Sequence, residues 1–230
     1  FFHGATDTVI PAAQSRLGTL EAAGYETCFS GQKTYNGVAL LSRIPLSDVV
    51  CGNPHFPDEQ KRLIAATAGN TRVICAYVPN GQAIGSDKYL YKLDWLRALA
   101  GWLKAEMAAY PNLAVAGDFN IAPEDRDVYD PVAWAGQVLC SEAERGAFRE
   151  LQALGLRDSF RLFQQPERTY SWWDYRMLGF QKNNGLRIDH ILLSVPLAER
   201  CRAAGIDREM RKRERPSDHA PVVAEIEIAD

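Results

Sequence analysis

The chain lacks the marks of several protein classes. Across its 230 residues no apolar run approaches the roughly 18–20 residues of a membrane span, so no membrane association is expected. The most apolar stretches, such as Val38-Ala39-Leu40-Leu41, have the length of buried strands. Phe1-Phe2-His3-Gly4 offers neither a basic segment nor an apolar core, so it does not read as a secretory signal. The five cysteines are scattered and odd in number, with no Cys-x-x-Cys or Cys/His spacing. That argues against a zinc module and against a secreted disulfide framework, and makes a reducing cytoplasm the simplest setting. Strong charge of one sign is missing too. A net charge of −3 excludes a protein that coats nucleic acid by bulk electrostatics, but it leaves room for a local basic groove.

There is also no internal repeat, no low-complexity tract and no long Gly/Ser linker, so the chain is read as one domain over 1–230. What is present is an ordinary globular balance, 47% hydrophobic and 24% charged. Short β-branched stretches predict strands at Val38–Leu41, Leu63–Thr67, Val73–Val78, Leu113–Phe119, Leu186–Leu193 and Val222–Ile228. Longer periodic segments predict helices from Tyr91 to about Ala109 and from Ser141 to about Leu154, the latter opened by Ser141-x-x-Glu144. A shorter helix is expected around Arg16–Ala23, stopped by Gly24. Neighbouring strands have short connections, and regular βα alternation is absent. A mixed α/β arrangement of packed sheets with outer helices fits this pattern.

Two segments carry chemistry. In Asn112-Leu-Ala-Val-Ala-Gly-Asp118-Phe-Asn120-Ile-Ala-Pro123 a strand runs into a loop. Alternation sends Asp118 and Asn120 to one side, where a carboxylate and an amide can hold a metal, a water or a phosphate oxygen. A local Asx turn is the plainer alternative. Near the end, prolines pin Arg215-Pro-Ser217-Asp218-His219-Ala-Pro221 just before a strand. Asp189 lies in Leu186-Arg-Ile-Asp189-His190, where a buried acid needs a partner. A histidine would serve, and its basicity would rise in return.

Taken together and in order, these pieces resemble the exodeoxyribonuclease III branch of the endonuclease/exonuclease/phosphatase superfamily. The strings are Gly31-Gln-Lys-Thr-Tyr-Asn-Gly-Val-Ala39, Tyr77-Val-Pro-Asn-Gly81, Gly117-Asp-Phe-Asn-Ile-Ala-Pro123, Trp172-Trp-Asp-Tyr-Arg176, Gly185-Leu-Arg-Ile-Asp189 and Pro216-Ser-Asp-His-Ala-Pro221. The match runs from about Leu20 to the end. The resemblance implies a four-layer α/β sandwich with its active site at one edge of two packed sheets. It implies a monomeric, metal-dependent hydrolase of DNA phosphodiesters, acting at abasic sites and 3′ ends with Mg²⁺ or Mn²⁺. Asp118 would orient or deprotonate water, Asn120 would hold the scissile phosphate, and His219 would bind a phosphate oxygen while Asp189 orients it. Tyr77 would contact the phosphate or the leaving group. The expected metal set is Asp118, Asn120, Asp218 and His219. Trp172, Trp173, Arg176 and Asn184 are expected to face DNA. So is Lys92, at a helix start, with the basic run Arg208–Arg215 as a further approach.

One departure from the family pattern stands out. The family opens with a strand ending in Asn and another ending in a Gln-Glu string whose Glu is the principal metal ligand. No equivalent precedes Gly31, and Phe1–Gly18 contains no glutamate. The chain therefore reads as lacking the family's first strands, with one side of the metal site expected to be open and His3 and Asp7 as substitutes by residue type alone. Two other functions fit less well: a phosphodiesterase or phosphatase for a small or lipid substrate, and a catalytically impaired DNA-binding remnant.

Overall fold

Alternating small and β-branched side chains build the central sheet of the computed structural model, which describes residues 18–33 and 35–227. A short helix over 18–22, α1, stops at Gly24, whose φ of +82° is left-handed. The hairpin β1 (Glu26–Gly31) and β2 (Gly37–Ser42) follows, then β3 (Leu46–Cys51), β4 (Leu63–Ala68) and β5 (Thr71–Tyr77). Helix α2 (Asp87–Ala109) crosses to β6 (Leu113–Asp118). Next come α3 (Pro131–Trp134), α4 (Glu142–Ala153), β7 (Arg157–Asp158), β8 (Trp172–Trp173) and α5 (Gly179–Lys182). The chain finishes with β9 (Gly185–Leu186), β10 (Asp189–Leu193), α6 (Val195–Glu199), β11 (Cys201–Ile206) and β12 (Val222–Ile226).

Six strands form one mixed sheet in the order β3-β4-β5-β6-β10-β7. Within it, β5 and β6 run parallel because the α2 crossover joins them, while β10 lies antiparallel to β6. Side-chain parity divides the two faces. Leu63, Ile74, Val115 and Leu192 meet Trp95 and Leu99 of α2 and Phe148 of α4. On the opposite face Ile64 and Cys75 pack under the β1–β2 hairpin, and Ala114, Ile191 and Leu193 pack beside β11–β12. The expected mixed α/β layering is therefore present. Among the described residues the remaining strands form three separate antiparallel pairs, β1-β2, β8-β9 and β11-β12.

Several boundaries differ from the sequence expectation, each for a local reason. Helix α2 begins four residues early, because Ser86 caps it by accepting from Tyr89 N at 3.2 Å. The capping box at Ser141 and Glu144 forms as expected. The strand expected over Leu186–Leu193 is broken: Arg187 and Ile188 leave the ladder, where Arg187 N donates to Asp127 O and Ile188 N to Ser171 Oγ. The last strand is described to Ile226, and His3 and Asp7 lie outside the described residues. Among the described residues no helix is long and apolar enough to cross a membrane.

Gly117 is what lets β6 carry Asp118 alongside β5. A Cβ there would stand 1.8 Å from the carbonyl oxygen of Ala76, its register partner, so only glycine permits the pairing.

Behind β10 the break in the strand is filled by a buried polar cluster. Arg187 Nε donates to Asp127 Oδ1 at 2.6 Å, and its Nη2 pairs with Asp158 Oδ2 at 2.8 Å. Arg161 also pairs with Asp127, so two cations balance two carboxylates. His190 lies on the helix-side face, edge-on to Phe119 at 5.4 Å. Its Nε2 faces the Ile121 carbonyl at 2.9 Å and its Nδ1 faces Arg187 Nη1 at 3.0 Å. A carbonyl can only accept and a guanidinium can only donate, so the ring is held neutral with its proton on Nε2. Burial, aided by the Arg187 charge, pulls its pKa down to about 4 from 6.5. A depressed folded-state pKa means that the unfolded chain binds the proton first, so stability present above pH 6.5 is lost as pH falls toward 4. Urea unfolding in EDTA should show a loss on the order of 3 kcal/mol from this ring across that window. His190→Gln should be less stable at pH 7 but lack that slope, and an unchanged slope in the variant would refute the assignment.

Candidate active site at the strand ends

The site begins where β5, β6 and β10 end together. Parallel register puts Tyr77 beside Asp118, and antiparallel register puts Asp189 directly opposite Asp118. Both carboxylates are buried, at 3% and 5% exposure, on the face away from α2. Opposed like charges in a ladder are unfavourable and need a cation between them. His219 provides one. Its Nδ1 lies 2.9 and 3.0 Å from the two oxygens of Asp189. Burial works against the imidazolium, but the charges of Asp189, Asp118 and Asp218 outweigh it and lift the His219 pKa to about 9. Burial pushes Asp189 upward as well, and His219 pulls it back. The geometry makes His219 the proton holder, because one N–H is shared by both carboxylate oxygens.

His219 is placed by a second strand. It bridges Trp172 of β8, while Trp173 N donates to the Asp218 carbonyl at 3.0 Å. Trp172 Nε1 donates to Asp218 Oδ2 at 3.0 Å, fixing that carboxylate at the cleft rim. Arg211 turns inward to the Ser217 carbonyl and lies 5.3 Å over the Tyr175 ring.

The Asx turn expected as the plainer alternative at Asp118-Phe-Asn120 is formed. Asn120 lies past the strand with φ +50°, and its N–H donates to Asp118 Oδ1 at 2.8 Å. The turn, rather than strand alternation, brings the amide back to the acid. Both hydrogens of Asn120 Nδ2 are committed, to Asp118 Oδ2 and to the Val78 carbonyl, each at 3.0 Å. Asn120 Oδ1 accepts from Asn80 Nδ2 at 3.0 Å. Asn120 thus orients Asp118 here. Tyr77 is half-buried under Arg62, 4.7 Å from its ring, and burial with the charge of Asp118 raises its pKa.

These side chains border a cleft of about 480 Å³ whose walls include Tyr77, Asp118, Asn120, Trp172 and His219. A neighbouring depression of about 460 Å³ shares Asp118 and His219 and adds Arg213 and Arg215. Asp118, Asp189 and His219 offer ligand atoms within 4.8 Å of one another. This group shares Asp118 and His219 with the expected metal set and adds Asp189, while Asp218 and Asn120 line the same cleft. At the strand ends three carboxylates stand against one imidazolium, with Arg213 and Arg215 in the adjoining depression. The Asp118 and Asp189 carboxylates, with Asp218 nearby, are oxygen donors without a thiolate and fit a hard divalent ion, while His219 keeps its proton for Asp189.

Two expected DNA contacts are corrected by burial. Lys92 is fully buried, its Nζ 2.5 Å from Glu144 Oε1 and 2.7 Å from the Asn120 carbonyl, so it cannot reach a phosphate. Trp173 is also fully buried, with Nε1 donating to Asn183 at 3.1 Å. Strand alternation decides between the two tryptophans, and Trp172 is the one that lines the cleft. Arg176 is exposed and held at 2.7 Å by Asp174, and Asn184 is half-buried beside α5. Asn80 and Arg62 are site residues that the sequence reading did not single out. Asn80 stood within Tyr77-Val-Pro-Asn-Gly81, and that string was the available signal.

A mixed sheet ending in a carboxylate–histidine cluster defines a class, and comparison with known proteins gives its membership. The chain belongs to the endonuclease/exonuclease/phosphatase family, whose pattern matches residues 4–219. It is 38% identical over 218 residues to exodeoxyribonuclease III of Haemophilus influenzae, covering 89% of this chain and 82% of that one. It superposes on the 3′ phosphatase NExo from Neisseria bound to product DNA hairpin, with a TM-score of 0.90 and 41% identity, covering 96% of this chain and 95% of that chain. An AP endonuclease from Archaeoglobus fulgidus matches with a TM-score of 0.87 and 38% identity, covering 92% and 82%.

The His219–Asp189 pair gives a direct test without substrate. An NMR titration of the metal-free protein should find the His219 ring titrating near pH 9. In Asp189→Asn the midpoint should fall clearly from there, because burial then acts against the weaker field of Asp118 and Asp218 alone. A midpoint that stays near 9 in the variant would show that Asp189 does not hold the proton.

Proposed function

We propose that this chain hydrolyses DNA phosphodiesters in repair, as a 3′–5′ exonuclease and abasic-site endonuclease that uses Mg²⁺ or Mn²⁺. The observation that carries the reading is the Asp118–Asp189–His219 cluster opening into a cleft walled by Trp172. The names of its relatives, exodeoxyribonuclease III, 3′ phosphatase and AP endonuclease, support the same reading. Five free thiols suit a reducing cytoplasm.

A divalent cation, when bound beside Asp118 with Asp218 at the rim, supplies positive charge against the phosphate oxygens. The chain's own groups do the rest. Asp118, fixed through both oxygens by Asn120, accepts the proton of the attacking water. His219 has Nδ1 on Asp189, so Nε2 is the donor for a phosphate oxygen, where a fixed charge is worth most as negative charge builds. Tyr77, at the end of β5 next to Asp118, donates its hydroxyl hydrogen to the phosphate or the leaving oxygen. Trp172, in the cleft wall, offers an aromatic edge for the sugar or base beside the scissile bond, Arg213 and Arg215 of the adjoining depression meet the phosphate approach, and the exposed Arg176 and half-buried Asn184 are further DNA-contact candidates.

Asp118→Asn keeps the volume and the turn but loses the base. Cleavage of a duplex with one abasic site should fall about 10²–10⁴-fold, with DNA affinity within about threefold. A variant within tenfold of the parent would remove Asp118 from the role. Parallel assays on a recessed 3′ end and on a small phosphodiester separate the alternatives. Cleavage of the small ester alone would mean a non-DNA phosphodiesterase. DNA binding without cleavage at any metal concentration would mean a remnant.

A further inference from the structure

Lys92 and Glu144 form an ion pair in which neither side chain reaches solvent. Burying two charges is costly, and a well-packed apolar pair often serves stability equally well. The pair therefore calls for a reason beyond packing. Its contacts supply one. Lys92 Nζ donates to the main-chain carbonyls of Asn120 at 2.7 Å and Asn80 at 3.1 Å. These are the two residues whose side chains hand a hydrogen bond forward, Asn80 to Asn120 and Asn120 to Asp118, each at 3.0 Å. Glu144 is fixed from the other side. Its Oε1 accepts from Leu139 N at 3.0 Å and its Oε2 from Ser141 N at 3.1 Å, and Leu139 itself walls the cleft. Gly81 packs against the lysine stem, since a Cβ there would stand 3.1 Å from Lys92 Cδ.

We propose that Lys92, seated on Glu144, is a positioning residue for hydrolysis: it holds the Asn80 and Asn120 backbones so that their amides fix the Asp118 carboxylate toward the cleft. The proposal rests on the functional reading above. It differs from a DNA-contact role because Lys92 acts from behind the sheet edge and touches no substrate. Asn120 sits at φ +50° at the end of β6, a conformation that asparagine tolerates and that needs support from its surroundings. One ammonium gripping two carbonyls in adjoining loops gives that support. A displacement of about 1 Å in a catalytic group costs on the order of 100-fold in rate.

The test compares wild type, Lys92→Met, Lys92→Arg and Lys92→Met/Glu144→Gln in the full chain, with Asp118→Asn as the inactive control. Two readouts are used: steady-state cleavage of an abasic duplex at saturating Mg²⁺, and the side-chain amide NMR signals of Asn80 and Asn120 in metal-free protein. Lys92→Met should lower kcat about 10–100-fold with KM within about threefold, and both amide signals should lose their wild-type positions. Lys92→Arg, which can still donate to both carbonyls, should recover kcat to within about fivefold and keep the amide signals. The double variant leaves no uncompensated charge, so it carries the comparison if the single variant fails to fold. A folded Met or double variant with kcat within threefold of wild type and unmoved amides would overturn the proposal. So would a loss of KM alone. Should wild type cleave no DNA, the functional reading fails, and the amide signals still decide whether Lys92 holds the asparagines.

Discussion

Two buried carboxylates facing each other across one strand pair set the terms for the rest of this molecule. The β6–β10 register gives Asp118 and Asp189 no lateral escape, because a one-residue slip would turn every core side chain of β10 to the wrong face. The chain answers with His219, which arrives from a distant turn and binds Asp189 through Nδ1. That turn is tied to β8 by the Trp172–His219 bridge, and Arg211 donates to its Ser217 carbonyl. Negative charge is thereby concentrated on Asp118 and Asp218, where a hard cation and then a phosphate can be accommodated.

Holding such a cluster requires a rigid support, and the support is polar as well as apolar. On the helix side, Trp95, Leu99 and Phe148 press on the strand residues that alternate with the acids. Beneath the break between β9 and β10, Arg187 gathers Asp127, Asp158 and a neutral His190. Lys92 and Glu144 make a second buried pair under the asparagine loops. Each places a full charge where removing one partner would strand the other, at several kcal/mol. The site is therefore built between two buried ion clusters and a sheet that tolerates only glycine at position 117.

How much of this could be read beforehand depends on the range of the interaction. Local signals did well: the Ser141–Glu144 capping box, the Gly24 stop, the turn at Asp118-Phe-Asn120 and most of the strand centres follow from neighbours a few residues apart. The pairing of Asp189 with His219 was also accessible, since a buried acid demands a partner and few histidines exist. Tertiary contacts account for the failures. Lys92 looked like a phosphate contact because a lysine at a helix start is usually exposed, and nothing nearby in sequence announces Glu144 fifty-two residues on. Trp172 and Trp173 point to opposite faces, but which face was solvent could not be read from the pair itself. The strands β1, β3 and β11 lack a clean alternation of apolar and polar residues, as in Leu46-Ser-Asp-Val-Val-Cys51, which weakens their periodic signal. Arg187 broke an otherwise convincing strand for the sake of two acids far away in sequence.

The account stands or falls on whether Asp189 and His219 act as one unit beside Asp118. A double-mutant cycle on abasic-duplex cleavage, using Asp189→Asn, His219→Ala and both together at saturating Mg²⁺, tests that most directly. Groups acting as a unit lose nearly everything at the first substitution, so the double variant should be no more than about threefold slower than His219→Ala alone. Losses that multiply would show two independent residues and would contradict the arrangement described here.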